Sequence, residues 1–186
     1  MTSGDNDLFC DNLPSRPQPE LGRILVTGAT GYVGGRLVPD LLARGYRVRV
    51  MVRAASDEHE QRWPGAEVVV ADALDPGSLK AALEGVYAAY YLLHSLLLGP
   101  EDLEATEIQA AGNFRRAAEQ QCVARIIYLG GLGEARAPLS PHLKSRMQVA
   151  DELSCGTVPT TVLRAAIIIG SGSASYEIIE HLVKSL

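Results

Sequence analysis

Three glycines, Gly28, Gly31 and Gly34, have the GxxGxxG spacing of a turn that could cradle a phosphate group. They follow the short apolar run ILV at residues 24–26 and open the stretch YVGGRLV. In such a turn the first glycine permits the sharp bend, the second lets the backbone approach a pyrophosphate, and the third lets the helix pack closely. The N–H groups and positive dipole end of the helix attract phosphate. The stretch predicts a dinucleotide site, against the alternative of a purely structural turn, and the residues assigned to it are Thr27, Gly28, Thr30, Gly31, Tyr32, Val33 and Gly34.

A basic residue ends the next apolar run, where NAD sites usually carry an acid that holds the ribose 2′-hydroxyl. The segment reads YRVRVMVRAAS, and the first acid after Arg53 is Asp57. A guanidinium suits a 2′-phosphate, whose charge would repel a carboxylate. We therefore expect NADP as the cofactor, with NAD as the alternative if Arg53 is only a solvated loop residue.

The elements that must position these residues alternate between short β-branched runs and amphipathic stretches. Nearly continuous apolar runs are typical of strands covered on both faces. The pattern predicts an α/β fold, a Rossmann-type doubly wound parallel sheet with helices on both faces. The predicted strands are Arg23–Thr27, Arg47–Val52, Glu67–Val70, Ala88–Leu93, Arg125–Leu129 and Thr161–Ile168.

Proline marks several of the predicted helices. Asp75 and Ser140 each precede a proline, an arrangement typical of a capping residue followed by the first helical position. Another helix is expected after Gly99-Pro100, with an apolar face on residues 103, 110, 114, 117 and 118. Pro39 lies beyond the first turn of GRLVPDLLARG and is expected to kink that helix.

Composition limits the class of protein. The 186 residues are 47% hydrophobic with a net charge of −5, which excludes a general binder of nucleic acid or anionic membranes. No apolar run approaches the about 18 residues that span a bilayer. The three cysteines lack metal-site spacing and indicate a reducing, cytoplasmic compartment, and we interpret Cys122 and Cys155 as small packing residues. Residues 1–21 read as a disordered leader and residues 22–186 as one domain.

Several longer stretches, TGATGYVGGRLVPDLLARGYRVRVMVR, YYLLHSL, RIIYLGGLG and SPHLKSRMQVADELSCGTVPTTVLRAAIIIGSGSASYE, resemble the short-chain dehydrogenase/reductase superfamily. The likeness is to its extended-to-atypical, NmrA-like NAD(P)-binding branch. The resemblance implies that Asp72, with Ala73 beside it, faces the adenine. It implies that Leu92, Leu93 and His94 flank the ribose and nicotinamide, and that Ala165 and Ala166 approach the carboxamide.

The catalytic pattern of that superfamily is altered here. Active members usually carry a Ser after the fifth strand and a Tyr-x-x-x-Lys on the next helix, whose Tyr exchanges a proton with substrate. The Ser position matches Gly130 or Gly131, and the Tyr and Lys positions match His142 and Arg146. The standard mechanism is therefore in doubt. Arg146 is expected to contact ribose or phosphate.

Two histidines remain as candidate catalytic residues. His142 and Arg146 share a helical face, but the helix dipole and the arginine both disfavour an imidazolium, so His142 would be a weak acid. We favour a cofactor contact or cap for His142, with a proton relay as the alternative. His94 follows a strand end, where ligands bind in open α/β sheets, although a lone loop histidine is more often a satisfied polar residue.

Two functions from different classes follow from these residues. The first is an NADP(H)-binding protein with oxidoreductase activity on a small molecule, and the second is a dinucleotide-sensing regulator without turnover. Neither calls for nucleic acid, membrane or metal. The final segment predicts a helix with an apolar stripe on residues 178, 179, 182, 183 and 186. We expect a missing substrate region or a second copy of the chain to cover it.

Overall fold

A computed structural model describes residues 16–94, 100–132 and 140–185. Most of the predicted leader therefore lies outside the described residues, as do the side chains of residues 100–103, 141, 142, 174 and 175. Within the described residues, six strands alternate with six helices, and a short 3-10 turn, Pro19–Leu21, precedes them. The strands are β1 (Arg23–Val26), β2 (Arg47–Val52), β3 (Glu67–Val70), β4 (Val86–Tyr91), β5 (Arg125–Gly131) and β6 (Thr160–Ala165). The helices are α1 (Tyr32–Ala43), α2 (Asp57–Arg62), α3 (Pro76–Leu83), α4 (Pro100–Gln120), α5 (Pro141–Ser154) and α6 (Ala174–Lys184).

The strands form one sheet in the order β3-β2-β1-β4-β5-β6, and every pairing is parallel. The order reverses beside β1, where Val26 pairs with Val50 of β2 on one side and with Tyr90 of β4 on the other. This arrangement confirms the predicted Rossmann-type sheet. The carboxyl ends of β1 and β4 thus form the switch point at which such sheets bind ligands.

Two apolar clusters cover the two faces of the sheet. On one face Tyr91, Phe114 and Tyr128 lie among residues from β4, β5, α3, α4 and α5. On the other, Trp63 and Val38 pack with β1 and β2. The strands are apolar on both faces because both faces are covered, which explains their continuous rather than alternating hydrophobicity.

Four of the predicted strands had wrong boundaries. The first strand ends at Val26 because Thr27 begins the glycine turn, and β4 runs from Val86 to Tyr91 rather than over 88–93. β5 extends through two glycines to Gly131 because its backbone continues to pair with β6. β6 ends at Ala165, and the apolar residues that follow enter a turn. The Ser173 hydroxyl donates to the Ile168 carbonyl and the Ser173 N–H donates to the Gly170 carbonyl, and these two bonds close the turn.

The predicted caps are present. The Asp75 carboxylate accepts from the Gly77 N–H at 2.9 Å, and the Ser140 hydroxyl accepts from the Leu143 N–H at 3.3 Å. Helix α1 continues through Pro39 to Ala43. The reading of Cys122 and Cys155 as packing residues was wrong, because both side chains are exposed.

Helix α6 forms over Ala174–Lys184, as the apolar stripe predicted. Its stripe is exposed at Ile178, Ile179, Leu182 and Val183, while Leu186 lies outside the described residues. None of the helices in the described part of the chain has the length and apolar character of a membrane-spanning segment.

Candidate functional site

The turn after β1 can be made only with glycine at position 28. Gly28 has φ +64°, and a Cβ atom there would lie 2.6 Å from the Leu92 carbonyl oxygen. That φ lies in the left-handed region, and the clash is with backbone that cannot move aside cheaply. Gly28 therefore brings the turn against the end of β4, at the switch point of the sheet.

Thr27 holds this turn in place. Its hydroxyl donates to the Tyr90 carbonyl at 3.1 Å and accepts from the Leu92 N–H at 3.0 Å, and its side chain is fully buried. These bonds tie the end of β1 to the end of β4. Thr27 was predicted as a cofactor contact. The structure gives it a scaffolding role, and the direct contact stays a prediction.

The other two glycines have different surroundings. Gly31 is the N-cap of α1 in extended backbone, and a Cβ there would meet only the Gly28 carbonyl oxygen, at 3.2 Å. At Gly34 a Cβ would lie 2.5 Å from the Gly28 carbonyl oxygen and 2.6 Å from the Ala29 Cα. Gly34 thus lets α1 pack on the turn, whereas Gly31 is exposed together with Thr30.

The N-terminus of α1 is suited to an anion. No side chain caps it, and its first turn carries no acid. The Arg36 guanidinium lies 3.9 Å from the ring centroid of Tyr32, and donates to the Ser171 carbonyl at 2.6 Å. A dinucleotide pyrophosphate fits this end of the helix, since the backbone N–H groups there have no competing side-chain acceptor and the helix dipole is positive.

Two further predicted contacts lie at the carboxyl ends of β2 and β3. Arg53 directly follows β2, is exposed, and has no ion pair with any described residue. Asp72 is also exposed, and one of its carboxylate oxygens accepts from the Leu74 N–H at 2.8 Å. That bond fixes the carboxylate in its turn and leaves the other oxygen for a ligand. Ala73 is buried, and its carbonyl accepts from the Asn113 side-chain amide at 3.1 Å.

The residues after β4 and β6 stand at the same edge of the sheet. Leu92 packs against the cluster around Trp63 and Leu93 against the cluster around Phe114, while His94 is exposed. Ala165 ends β6, and its carbonyl accepts from the Leu132 N–H at 2.8 Å. Ala166, which follows it, is exposed. These residues lie at the carboxyl edge of the sheet, and their contacts with a cofactor stay predictions.

The end of β5 carries glycine where a catalytic serine usually stands, and two side chains of α5 crowd position 131. A Cβ on Gly131 would lie 2.8 Å from the Leu143 Cδ2 and 3.2 Å from the Arg146 Cδ. A Cβ on Gly130 would lie 3.1 Å from the Tyr128 ring. A serine at position 131 would therefore require the Leu143 side chain to shift.

Arg146 is held at this end of β5. Its guanidinium donates to the Leu129 carbonyl at 3.0 Å, and its own carbonyl accepts from the Tyr128 hydroxyl at 3.3 Å. Burial raises the pKa of Tyr128 above its usual value, so the hydroxyl stays protonated at neutral pH and serves as a donor. Tyr128 is a core residue. The side chain of His142 lies outside the described residues, although the backbone of α5 includes it.

Three residues beside the glycine turn were not predicted as site residues. They are Gly35, Arg36 and Arg62, which the structure brings to the first turns of α1. Gly35 and Arg36 stand inside the quoted glycine stretch. Arg62 is 34 positions beyond Gly28 in the printed sequence and has no local pattern that would connect it with the turn.

Comparison with known proteins agrees with this geometry. The sequence profile of a family described as NAD(P)H-binding matches residues 28–169. A cinnamoyl-CoA reductase from Oryza sativa subsp. japonica is 32% identical over 117 residues, covering 59% of this chain and 34% of the rice protein. A chloroplastic divinyl chlorophyllide a 8-vinyl-reductase from Zea mays is 31% identical over 142 residues, covering 70% of this chain and 35% of the maize protein.

One of the similar solved structures contains a bound cofactor. The Citrobacter sp. triphenylmethane reductase complexed with NADP(H) superposes with a TM-score of 0.66 at 26% identity, over 77% of this chain and 49% of the other. The chain thus spans about a third of the length of the curated relatives named above and about half of this structure. The matched profile, the six-stranded parallel sheet and the glycine turn at its switch point show that the chain belongs to the NAD(P)H-binding family, in the atypical branch of the short-chain dehydrogenase/reductase superfamily.

Proposed function

We propose that this nicotinamide dinucleotide-binding domain prefers NADP(H) and serves an oxidoreductase that acts on a small molecule. The observation that carries the preference is Arg53, an exposed guanidinium directly after β2 with no acid before Asp57. A ribose 2′-phosphate at this edge would accept charge-assisted hydrogen bonds, whereas the 2′-hydroxyl of NAD(H) would lack the acceptor it usually finds. The NADP(H) complex of the similar triphenylmethane reductase supports the same choice.

The reaction class rests on the reductases among the relatives and on the architecture of the carboxyl edge. Bound nicotinamide supplies hydride chemistry. The chain's own residues would bind the phosphates at α1, hold the turn through Thr27, and hold the carboxyl end of β5 through Arg146. The described residues include no tyrosine at the usual proton-donor position, which is occupied by His142. His94 and His142 are therefore the two proton-transfer candidates in this chain.

A second function, dinucleotide sensing without turnover, is favoured by the end of β5. Gly130 and Gly131 stand where active members of the superfamily carry a serine, and the Leu143 and Arg146 side chains lie against position 131. A site that binds the cofactor without this serine could report the redox state through occupancy alone. The two functions share the cofactor and differ in whether any substrate oxidises it.

The test is a pair of measurements on purified protein. Titration calorimetry with NADPH and NADH gives the two dissociation constants, and tighter NADPH binding is expected. A screen of aldehydes, ketones and activated alkenes for substrate-dependent loss of NADPH absorbance then separates the two functions. Turnover with any substrate supports the oxidoreductase, whereas equal affinity for the two cofactors contradicts the NADP(H) preference.

A further inference from the structure

Arg62 has an unusual position for the last residue of a short helix. Glu58 precedes it by four residues, the spacing at which an acid and a base normally pair on a helix surface. Arg62 nevertheless forms no ion pair with any described residue, and its guanidinium lies 5.0 Å from the ring centroid of Trp63. Trp63 is 1% exposed, so the ring is a fixed platform. The Arg62 side chain thus lies near the Trp63 ring and does not pair with the acids of its own helix.

The far end of Arg62 reaches α1. A Cβ atom on Gly35 would lie 2.9 Å from the Arg62 Nη2, and the same point is 3.5 Å from the Ala29 carbonyl oxygen. The guanidinium therefore occupies the space that a side chain at position 35 would fill, beside the glycine turn. Gly35 is in the interior of a helix, where glycine costs about 0.5–1 kcal/mol relative to alanine. Its absence of a side chain makes room for the arginine.

The acids of α2 lie close in sequence to Arg53 and would disfavour a phosphate there. Asp57, Glu58 and Glu60 all stand on α2, just after Arg53. With three carboxylates on the helix that follows it, a single arginine would give a poor site for a phosphate of charge about −2. A second guanidinium on the α1 side of that helix offsets the acids where the ribose would lie, between the end of β2 and the start of α1.

We propose that Arg62 is a second binding residue for the 2′-phosphate of NADP(H), and that Gly35 gives its guanidinium access to the glycine turn. This inference rests on the proposed NADP(H) preference and names a residue that sets it. Arg53 approaches the phosphate from the end of β2 and Arg62 from the end of α2. Two arginines can together satisfy the phosphate oxygens with planar, charge-assisted hydrogen bonds.

Calorimetric titration with NADPH and NADH tests this in three variants. Arg62→Gln removes the charge and should weaken NADPH binding about 10-fold or more, with NADH affinity within about twofold of the parent. Gly35→Ala places a methyl carbon 2.9 Å from the present position of Nη2, which is closer than van der Waals contact and displaces the guanidinium. It should raise the melting temperature, because alanine is the better helix former, and yet weaken NADPH binding selectively. Arg47→Gln is the matched control, an exposed arginine at the opposite end of β2 that should change neither affinity.

The outcomes separate the inference from the function on which it rests. If the parent protein prefers NADPH but Arg62→Gln and Gly35→Ala retain that preference within about twofold, the role of Arg62 is refuted while the NADP(H) proposal stands. Equal losses for NADPH and NADH in Arg62→Gln would refute it too, since they would indicate a structural role. If the parent binds both cofactors equally, the proposed preference fails and this inference fails with it.

Discussion

Substitution of Gly31 should weaken cofactor binding by at least about 100-fold without unfolding the domain. Gly31 lies in extended backbone, φ −77° and ψ 175°, which valine adopts readily. Its Cβ would meet only one atom, the Gly28 carbonyl oxygen at 3.2 Å. Gly31→Val should therefore change the free energy of unfolding by only about 1 kcal/mol, the scale of an N-cap substitution. The exposed isopropyl group would stand where the pyrophosphate must approach the α1 N–H groups.

The loss in affinity follows from the hydrogen bonds that the side chain would block. Each bond from a backbone N–H to a charged phosphate oxygen contributes about 1.5–3 kcal/mol, so losing two costs about 3–6 kcal/mol. That corresponds to about 10²- to 10⁴-fold in the dissociation constant of NADPH, which titration calorimetry measures. Chemical denaturation of the same sample gives the free energy of unfolding.

Gly34→Val provides the contrasting control. A Cβ at position 34 would lie 2.5 Å from the Gly28 carbonyl oxygen and 2.6 Å from the Ala29 Cα, so the turn and helix must separate. This variant should lose about 2 kcal/mol or more of stability. The reasoning is refuted if Gly31→Val binds NADPH within about threefold of the parent, or if it is destabilised as much as Gly34→Val.

Three other variants test separate parts of the account. Arg53→Ala should lower NADPH affinity toward that of NADH, about 10-fold or more by calorimetry, and an unchanged ratio would contradict the assignment. In a preparation that turns over a substrate, His142→Phe should reduce kcat by less than about 100-fold, because a true general acid would contribute about 10²–10⁴-fold. A larger loss with intact cofactor binding would support His142 as the proton relay. Arg49→Met should lower the free energy of unfolding by about 2–4 kcal/mol in urea. The Arg49 guanidinium donates to the Ala82 and Glu84 carbonyls at 2.7 and 2.9 Å and pairs with Glu67 at 2.9 Å. A loss below about 0.5 kcal/mol would show that these bonds contribute little to stability.

The fold could be predicted because its signals are local. β2 and β3 were placed at their observed ends, since a continuous apolar run marks a strand buried on both faces. The Asp75 and Ser140 caps were found because a capping residue and proline act within one turn. β6 was predicted too long, since IIIG after Ala165 looks like strand. A turn closed by Ser173 redirects it.

The glycine turn was predictable for the same reason, whereas its surroundings were not. Gly28 is required by the backbone of Leu92, more than sixty residues away in sequence, and only the motif and its strand-helix setting hinted at that approach. The contact between Arg62 and Gly35 joins two helices through side chains. The buried hydrogen bond from Ser145 to Glu107 likewise joins α4 and α5. Such pairings depend on tertiary packing, and periodicity carries no information about them.

The central claim is that the turn between β1 and α1 holds a nicotinamide dinucleotide. Trp63 is the single tryptophan of the chain and lies beside this region, so its fluorescence can report binding of NADPH, whose absorption overlaps tryptophan emission. We predict saturable quenching at one equivalent of NADPH in the parent protein, and its loss in Gly31→Val. Absence of saturable binding in the parent, or equal binding by the variant, would contradict the account.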